Sequence, residues 1–282
     1  MGNPIWNRRR FIKGAAALSG SGLLMGLYSW QIEPHWLEFV HLKMPIKNLP
    51  NNLKGKKLMQ LSDIHVGPLV DQKFLLNAME LAKRERPDYV VYTGDFIHFE
   101  NYSTFDQLEA VMDLAPKGTL GTYAILGNHD YGEEWLDDTI ATKIIEILAA
   151  NKITVLRNEI AENNGLTFIG LDDYWGTNFA PDRAMENYQP NKPTVVLCHN
   201  PDVCDLNVWN NYKGWILSGH THGGQCKPPF LKPPILPVQN PNYDAGIKDL
   251  QDGRTLYINR ALGHLYQIRF NVRPEITIFT LS

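Results

Sequence analysis

Short apolar runs alternate along the chain with polar clusters and with longer amphipathic stretches. Leu58-Met59-Gln60-Leu61, Tyr89-Val90-Val91-Tyr92, Tyr123-Ala124-Ile125-Leu126, Thr194-Val195-Val196-Leu197 and Trp215-Ile216-Leu217 are too short for helices and read as buried strands. Between the earlier runs the period becomes helical. Phe74, Leu75, Ala78, Met79 and Leu81 form a stripe over 70–86, stopped by Pro87. Leu108, Val111, Met112 and Ala115 form a second over 103–115, stopped by Pro116, and Ile140, Ile144, Ile147 and Leu148 a third over 134–150.

After residue 150 strands dominate. Ile153-Thr154-Val155-Leu156 and Leu166-Thr167-Phe168-Ile169-Gly170-Leu171 flank Asn163-Asn164-Gly165, a hairpin signal. A short helix is expected over 181–188 and another over 201–212, while 37–42, 254–260 and 275–281 read as strands. Six prolines in 227–241 forbid a regular element there. Helices alternating with strands, then strands in excess, predict an α/β fold with two mixed sheets face to face and helices outside.

The chemistry lies at the polar exits of the buried runs. The five runs lead to Asp63-Ile64-His65, Gly94-Asp95, Gly127-Asn128-His129-Asp130, His199-Asn200 and Gly219-His220-Thr221-His222. Five of the nine histidines stand at these exits. Open α/β sheets build their sites at the carboxyl ends of strands. On an extended exit, residues two apart share a side, so Asp63 with His65, and His220 with His222, would aim together. Asp63, His65, Asp95, Asn128, His199, His220 and His222 are the candidate metal ligands. Carboxylate, imidazole and amide without thiolate suit Mn, Fe or Zn, with Mn the first choice. Seven ligands exceed what one open ion takes and suit two divalent ions sharing a bridge. Two ions about 3.5–4 Å apart can hold a hydroxide between them and clamp the oxygens of an in-line displacement at phosphorus. The reaction expected is hydrolysis of a phosphate ester or anhydride.

Composition alters this little. The formal charge of −3 includes four basic and no acidic residues from the first thirty-two, so the remainder is more acidic still and carries no nucleic-acid footprint. Cys198, Cys204 and Cys226 have no metal-type spacing, and the first two read as small apolar packers. Asn7-Arg8-Arg9-Arg10-Phe11-Ile12-Lys13 followed by an uncharged run to Ile32 reads as an export segment. It resembles a twin-arginine signal, with Asn7 where Ser or Thr is usual. That resemblance implies the twin-arginine export machinery as a partner and a periplasmic or cell-envelope location, with membrane association through residues 11–32 if the segment is retained. Residues 1–32 are thus signal or anchor, 33–55 a lead-in, and 56–282 the hydrolase domain.

The series Asp-x-His, Gly-Asp, Gly-Asn-His-Asp, His, Gly-His-Thr-His resembles, in full and in order, the calcineurin-like metallophosphoesterase superfamily over about residues 56–226. The resemblance implies a four-layer αββα sandwich. It implies Asp63, His65, Asp95 and His222 on one ion, and Asp95, Asn128, His199 and His220 on the other, with Asp95 bridging. It implies His129 as the catalytic group that stabilises the transition state or protonates the leaving oxygen, with Asp130 orienting it. Ile32-Glu33-Pro34, Gly223-Gly224-Gln225 and Arg273-Pro274-Glu275-Ile276 further resemble a bacterial phosphodiesterase branch that includes UDP-2,3-diacylglucosamine pyrophosphatases of lipid A synthesis. The chain departs from that branch at Ala261-Leu262-Gly263-His264-Leu265-Tyr266, where a Gly-rich segment is usual.

Substrates in view are therefore small-molecule or lipid-linked phosphoesters, with lipid A pyrophosphatase as the alternative. A scaffold that lost catalysis would lack a ligand or His129, and none is missing. Outside the motif, His98 either lines the pocket or sits on a surface loop, and Arg260 either meets a phosphate or is ion-paired. Asp173, Tyr174 and Trp175 form either a stacking wall over the site mouth or ordinary loop packing. Phe230, Leu231, Ile235 and Leu236 either touch acyl chains or membrane, or pack the Pro-rich loop.

Overall fold

The computed structural model describes residues 8–282, with side chains from Phe11 onward in its first helix, so Asn7 and the Arg8, Arg9 and Arg10 side chains lie outside the described residues. Helix α1 (Arg8–Leu27) passes through a π turn at Tyr28–Ile32 into strand β1 (Glu38–Met44). Then come β2 (Lys57–Leu61), α2 (Gln72–Arg84), β3 (Tyr89–Thr93), α3 (Ser103–Leu114), β4 (Gly121–Ile125), α4 (Asp138–Ala150) and β5 (Thr154–Val155). The second half holds β6 (Glu159–Asn163), β7 (Leu166–Gly170), α5 (Asp182–Met185), β8 (Thr194–Leu197), β9 (Trp215–Ser218), β10 (Gly246–Asp249), β11 (Thr255–Ile258) and β12 (Glu275–Leu281).

These strands make two six-stranded mixed sheets, ordered β1-β12-β2-β3-β4-β5 and β10-β11-β9-β8-β7-β6. The lead-in strand β1 is built into the first sheet, parallel to β12, which itself runs antiparallel to β2. Strands β2 to β5 are mutually parallel, as are β7, β8, β9 and β11.

Side-chain alternation distributes the apolar residues among three cores. On β3, Val90 and Tyr92 pack outward against Leu75, Val111 and Ile144 of the helices. Tyr89 and Val91 turn inward to meet Phe168, Val195, Leu217 and Phe279 between the sheets. On β8, Val195 and Leu197 face that same interior, and Val196 faces a third cluster with Met185 and Val203. A sheet buried on both faces has strands that are apolar throughout rather than alternating, which is how these runs read in the sequence.

Several boundaries differ from expectation. Helix α4 starts at Asp138, because the Asp137 carboxylate caps it by accepting the Thr139 N–H at 2.8 Å, and 132–135 form a turn instead. The hairpin around Asn163-Asn164-Gly165 joins β7 to β6, not to 153–156. Thr154 and Val155 pair with β4 in the other sheet, and Leu156 sits in the core between the sheets. Strand β6 is an edge strand rich in Glu and Asn, so it carried no apolar signal. The helix expected over 201–212 is a single 3₁₀ turn, Pro201–Asp205, capped by the Asn200 side chain. Beyond it Asn210 and Asn211 take positive φ, which ends any helix. Strand β10, exposed on alternate positions at a sheet edge, was not anticipated. No helix among the described residues is long and apolar enough to cross a membrane, and α1 is exposed over 11–27.

Candidate metal centre

The parallel strands β2, β3 and β4 of one sheet, and β8 and β9 of the other, deliver their carboxyl ends to one edge of the sandwich. The two sheets meet there directly: the His220 backbone N–H donates to both Asp63 carboxylate oxygens, at 2.9 and 3.1 Å. The exits of β2 and β3 stay paired past their ends, Asp63 N–H to Gly94 O at 2.9 Å and His65 N–H to Asp95 O at 3.0 Å.

The turns themselves are not extended. Asp63, His65, Asp95, His220 and His222 all have φ between 51 and 69°. Left-handed backbone at non-glycine residues costs on the order of 1–2 kcal/mol each. Such strain persists where surrounding structure enforces it, commonly at functional sites. Left-handed turns at both residues, not an extended pleat, present each Asp-x-His or His-x-His pair. Glycine is required beside them. A Cβ on Gly127 would collide with the Asp95 carboxylate, and one on Gly219 with Ser62 Oγ and Asp63 Oδ2.

Six expected ligands come together. Ligand atoms of Asp63, His65, Asp95 and His222 lie within 4.8 Å of one another, and those of Asp95, His199 and His220 do likewise. Asp95 belongs to both groups, and all six residues are buried. His65 Nε2 stands 3.1 Å from His222 Nε2 and 3.6 Å from Asp95 Oδ2, while His199 Nε2 stands 3.2 Å from Asp95 Oδ2. The seventh, Asn128, is buried just past β4 with its Oδ1 unpartnered.

Outer hydrogen bonds fix which nitrogen is free on two of the rings, His199 and His220. His199 Nδ1 donates to the Thr93 carbonyl at 2.7 Å, leaving Nε2 buried with no hydrogen-bond partner. His220 Nε2 donates to the Pro237 carbonyl at 2.9 Å. Metal-bound imidazoles characteristically anchor their second nitrogen in this way. Orphaned buried acceptors are costly without a cation or proton, and His199 Nε2 and Asn128 Oδ1 are two of them. The donor set of oxygen and imidazole nitrogen fits divalent cations.

Electrostatics favour an ionised Asp95 and neutral His65 and His220, while His199 runs toward the protonated form that a cation would have to displace. Burial would raise the Asp95 carboxyl, yet the surrounding His199, His129 and His65 rings hold it well below the usual carboxylate range. Burial opposes charge on His199, but Asp95 beside it lifts that ring well above an ordinary histidine. Burial lowers His65 well below normal and takes His220 down to about 3, both toward the neutral form that binds metal.

His129 stands over this cluster. Its ring is 5.0 Å from His65 and 5.5 Å from His98, and its backbone N–H donates to Asp95 Oδ1 at 2.9 Å. Burial lowers its pKa, so it is predominantly neutral at pH 7. Asp130 does not reach that ring. Its carboxylate accepts from the backbone N–H groups of Gly127 at 2.9 Å and Phe96 at 2.7 Å, so it shapes the turn that carries His129. Burial and nearby Asp95 push its carboxyl up to about 8.

Residues outside the motif take definite places. His98 is half-buried beside the His129 and His65 rings, so it lines the pocket. Arg260 is ion-paired, to Glu275 and, at 2.9 Å, to Glu38. Trp175 lies edge-on to His220 with ring centres 4.4 Å apart and stacks on Trp135 at 4.9 Å. Trp135 in turn lies 6.2 Å from the His129 ring, so the two tryptophans wall one side of the site. Tyr174 packs on Phe179 instead. Asp173 folds its carboxylate onto the Trp175 N–H at 2.8 Å, and burial raises its pKa to about 6. Trp135 had no sequence signal, since it sits in a turn that read as helix.

A family model described as calcineurin-like phosphoesterase matches residues 56–224. Phosphodiesterase YaeI of Escherichia coli (strain K12) is 31% identical over 287 residues, covering 98% of this chain and 99% of that one. The UDP-2,3-diacylglucosamine pyrophosphatase LpxG of Chlamydia muridarum is 26% identical over 313 residues, covering 93% of this chain and 94% of that one. Among solved structures, a dimetal phosphatase from Danio rerio aligns with 74% of this chain and 88% of its own, at a TM-score of 0.44 and 11% identity.

Proposed function

Because the chain belongs to the calcineurin-like phosphoesterase family, we propose that this phosphoester hydrolase works with two divalent cations and cleaves phosphodiester or pyrophosphate bonds. The observation that carries this reading is the placement of Asp95 in two ligand clusters at once. Asp63, His65 and His222 complete one cluster, and His199 and His220, with Asn128 beside them, complete the other. When bound, the cations would supply an activated water-derived nucleophile and positive charge for the phosphoryl oxygens. Manganese is the first choice, with iron or zinc as the alternatives, the oxygen donors suiting manganese and the imidazoles iron or zinc.

The chain's own residues do the rest. His129, neutral at pH 7, donates an N–H to a phosphoryl or leaving-group oxygen, and Asp130 holds the turn beneath it. Trp135 and Trp175 shield one side of the site from water. The arginine-rich start and the exposed helix α1 support export by a twin-arginine route and association with the cell membrane. Pyrophosphate cleavage in a UDP-diacylglucosamine-type substrate is the second reading, favoured by the similarity to LpxG.

The test is hydrolysis by the purified full chain with Mn²⁺. The substrates are bis-p-nitrophenyl phosphate, p-nitrophenyl phosphate and a nucleotide-sugar pyrophosphate. Turnover of the diester or the pyrophosphate above the monoester, with two metals per chain by elemental analysis, is the expected result. Monoester turnover alone, or one metal per chain in the active protein, would overturn it.

A further inference from the structure

Metal ligands His220 and His222 also line a groove of about 360 Å³. Its remaining walls include Pro234, Ile235, Pro237, Leu265, Tyr266 and Ile268. Among the described residues no Asp, Glu, Lys or Arg lines it, although charged residues make up 20% of the sequence. At its rim Ile235 is 78%, Tyr266 75% and Ile268 48% exposed, an apolar edge left open to solvent. The Pro-rich loop that forms one wall also accepts the His220 Nε2–H through Pro237 O. The groove therefore meets the centre at the outer edge of the His220 ring, on the side of the nitrogen not left for a cation.

The opposite wall, 265–268, is tied to the base of the exposed helix α1. Arg269 N–H donates to Ser29 O at 2.9 Å, and Gln267 Nε2 donates to Trp30 O at 3.2 Å. Trp30, Leu23, Leu24 and Met25 are more than half exposed. The apolar helix thus leaves the body at the same strip of chain that walls the groove.

We propose that this groove holds the hydrocarbon chain of the substrate, so that the enzyme acts on phosphoesters of lipids drawn from a membrane. The proposal rests on the hydrolase reading above and adds the substrate class. A phosphoryl group held by the centre would lie on the inner side of His220 and His222, with its substituent passing these two rings to reach the uncharged walls. Burying two methylenes there already corresponds to about a tenfold gain in binding.

Two esters with identical leaving groups test it: dodecyl p-nitrophenyl phosphate and methyl p-nitrophenyl phosphate, with the full-length Mn²⁺-loaded chain kept soluble by amphipol. The expected KM for the dodecyl ester is at least tenfold below that for the methyl ester. Ile268→Asp and Ile235→Asp should bring the ratio of the two close to one, while Ile268→Val keeps it. Equal KM values for the parent protein, or an unchanged ratio in both Asp variants, would overturn the proposal. Loss of self-association in the Asp variants with equal parent KM values would assign the groove to a second copy of the chain instead. If neither ester is cleaved, the hydrolase reading fails separately, and calorimetric binding of dodecyl phosphate against methyl phosphate still decides the groove by the same tenfold criterion.

Discussion

At the scale of single residues, His129 and Asp95 differ in how they meet the candidate centre. Asp95 lies between two ligand clusters, whereas His129 touches the centre through its backbone and the edge of its ring. His129→Ala should therefore keep both metals by elemental analysis and lose about 10²- to 10⁴-fold in turnover. Turnover at the parent rate would remove its assigned role. His264 tests burial in another way. It is fully buried, donates from Nε2 to the Leu69 carbonyl at 2.9 Å, and has its pKa lowered to about 4 by burial and by Arg269. A depressed histidine takes up its proton more readily when unfolded. Its neutral form thus stabilises the fold fully above pH 6.5, and that stability fades as pH falls toward 4. The difference is on the order of 3 kcal/mol. His65 and His220, also depressed, act in the same sense. In denaturant titrations of metal-free protein, His264→Gln should flatten the loss of stability between pH 6.5 and 4 without abolishing it. An unchanged slope would mean that the imidazole is not held neutral.

Elements set where these residues stand. Three of the five strand exits carry a glycine that lets another backbone or ligand approach, Gly94, Gly127 and Gly219, and Gly219 is the tightest case. Gly219→Ala would drive a methyl group into Ser62 Oγ and Asp63 Oδ2. A cost of about 1–3 kcal/mol is expected for such overpacking, read as a lower melting temperature together with weaker metal binding. Gly26→Ala on α1, with nothing within 4 Å of the new carbon, should change neither. The helix stripes and the buried strand runs were legible as elements because their apolar spacing is local. The turns at 132–135 and 206–212 were misread because apolar residues there pack against distant partners, Trp135 against Trp175 and Trp209 under Arg254. Strands β6 and β10 went unseen because edge strands need little apolar surface.

For the whole molecule, the candidate ligands are drawn from both sheets. Asp63 and Asp95 leave one sheet, His199, His220 and His222 the other, and buried His199 Nε2 and Asn128 Oδ1 have no hydrogen-bond partner there. Metal binding should therefore stabilise the fold as a unit. Ligand at 100 times its dissociation constant adds about 2.7 kcal/mol, and for a chain of this length that is roughly 5–10 °C in melting temperature. Differential scanning calorimetry before and after chelation measures it. A melting temperature indifferent to chelator would mean that the clusters do not bind metal in the folded protein.

The sequence by itself determined the ligand chemistry and the elements that carry it. Asp, Asn and His recur at the ends of apolar runs, and both the residue types and their spacing are local properties of the chain. Only the tertiary structure decided that Asp63 and His220, 157 positions apart, touch, since that depends on how two sheets register and pack. It also decided that Arg260 is occupied by Glu38 and Glu275, that two tryptophans wall the centre, and that an uncharged groove opens beside it. Those features arise from contacts between segments far apart in the chain, and no periodicity along one segment encodes them.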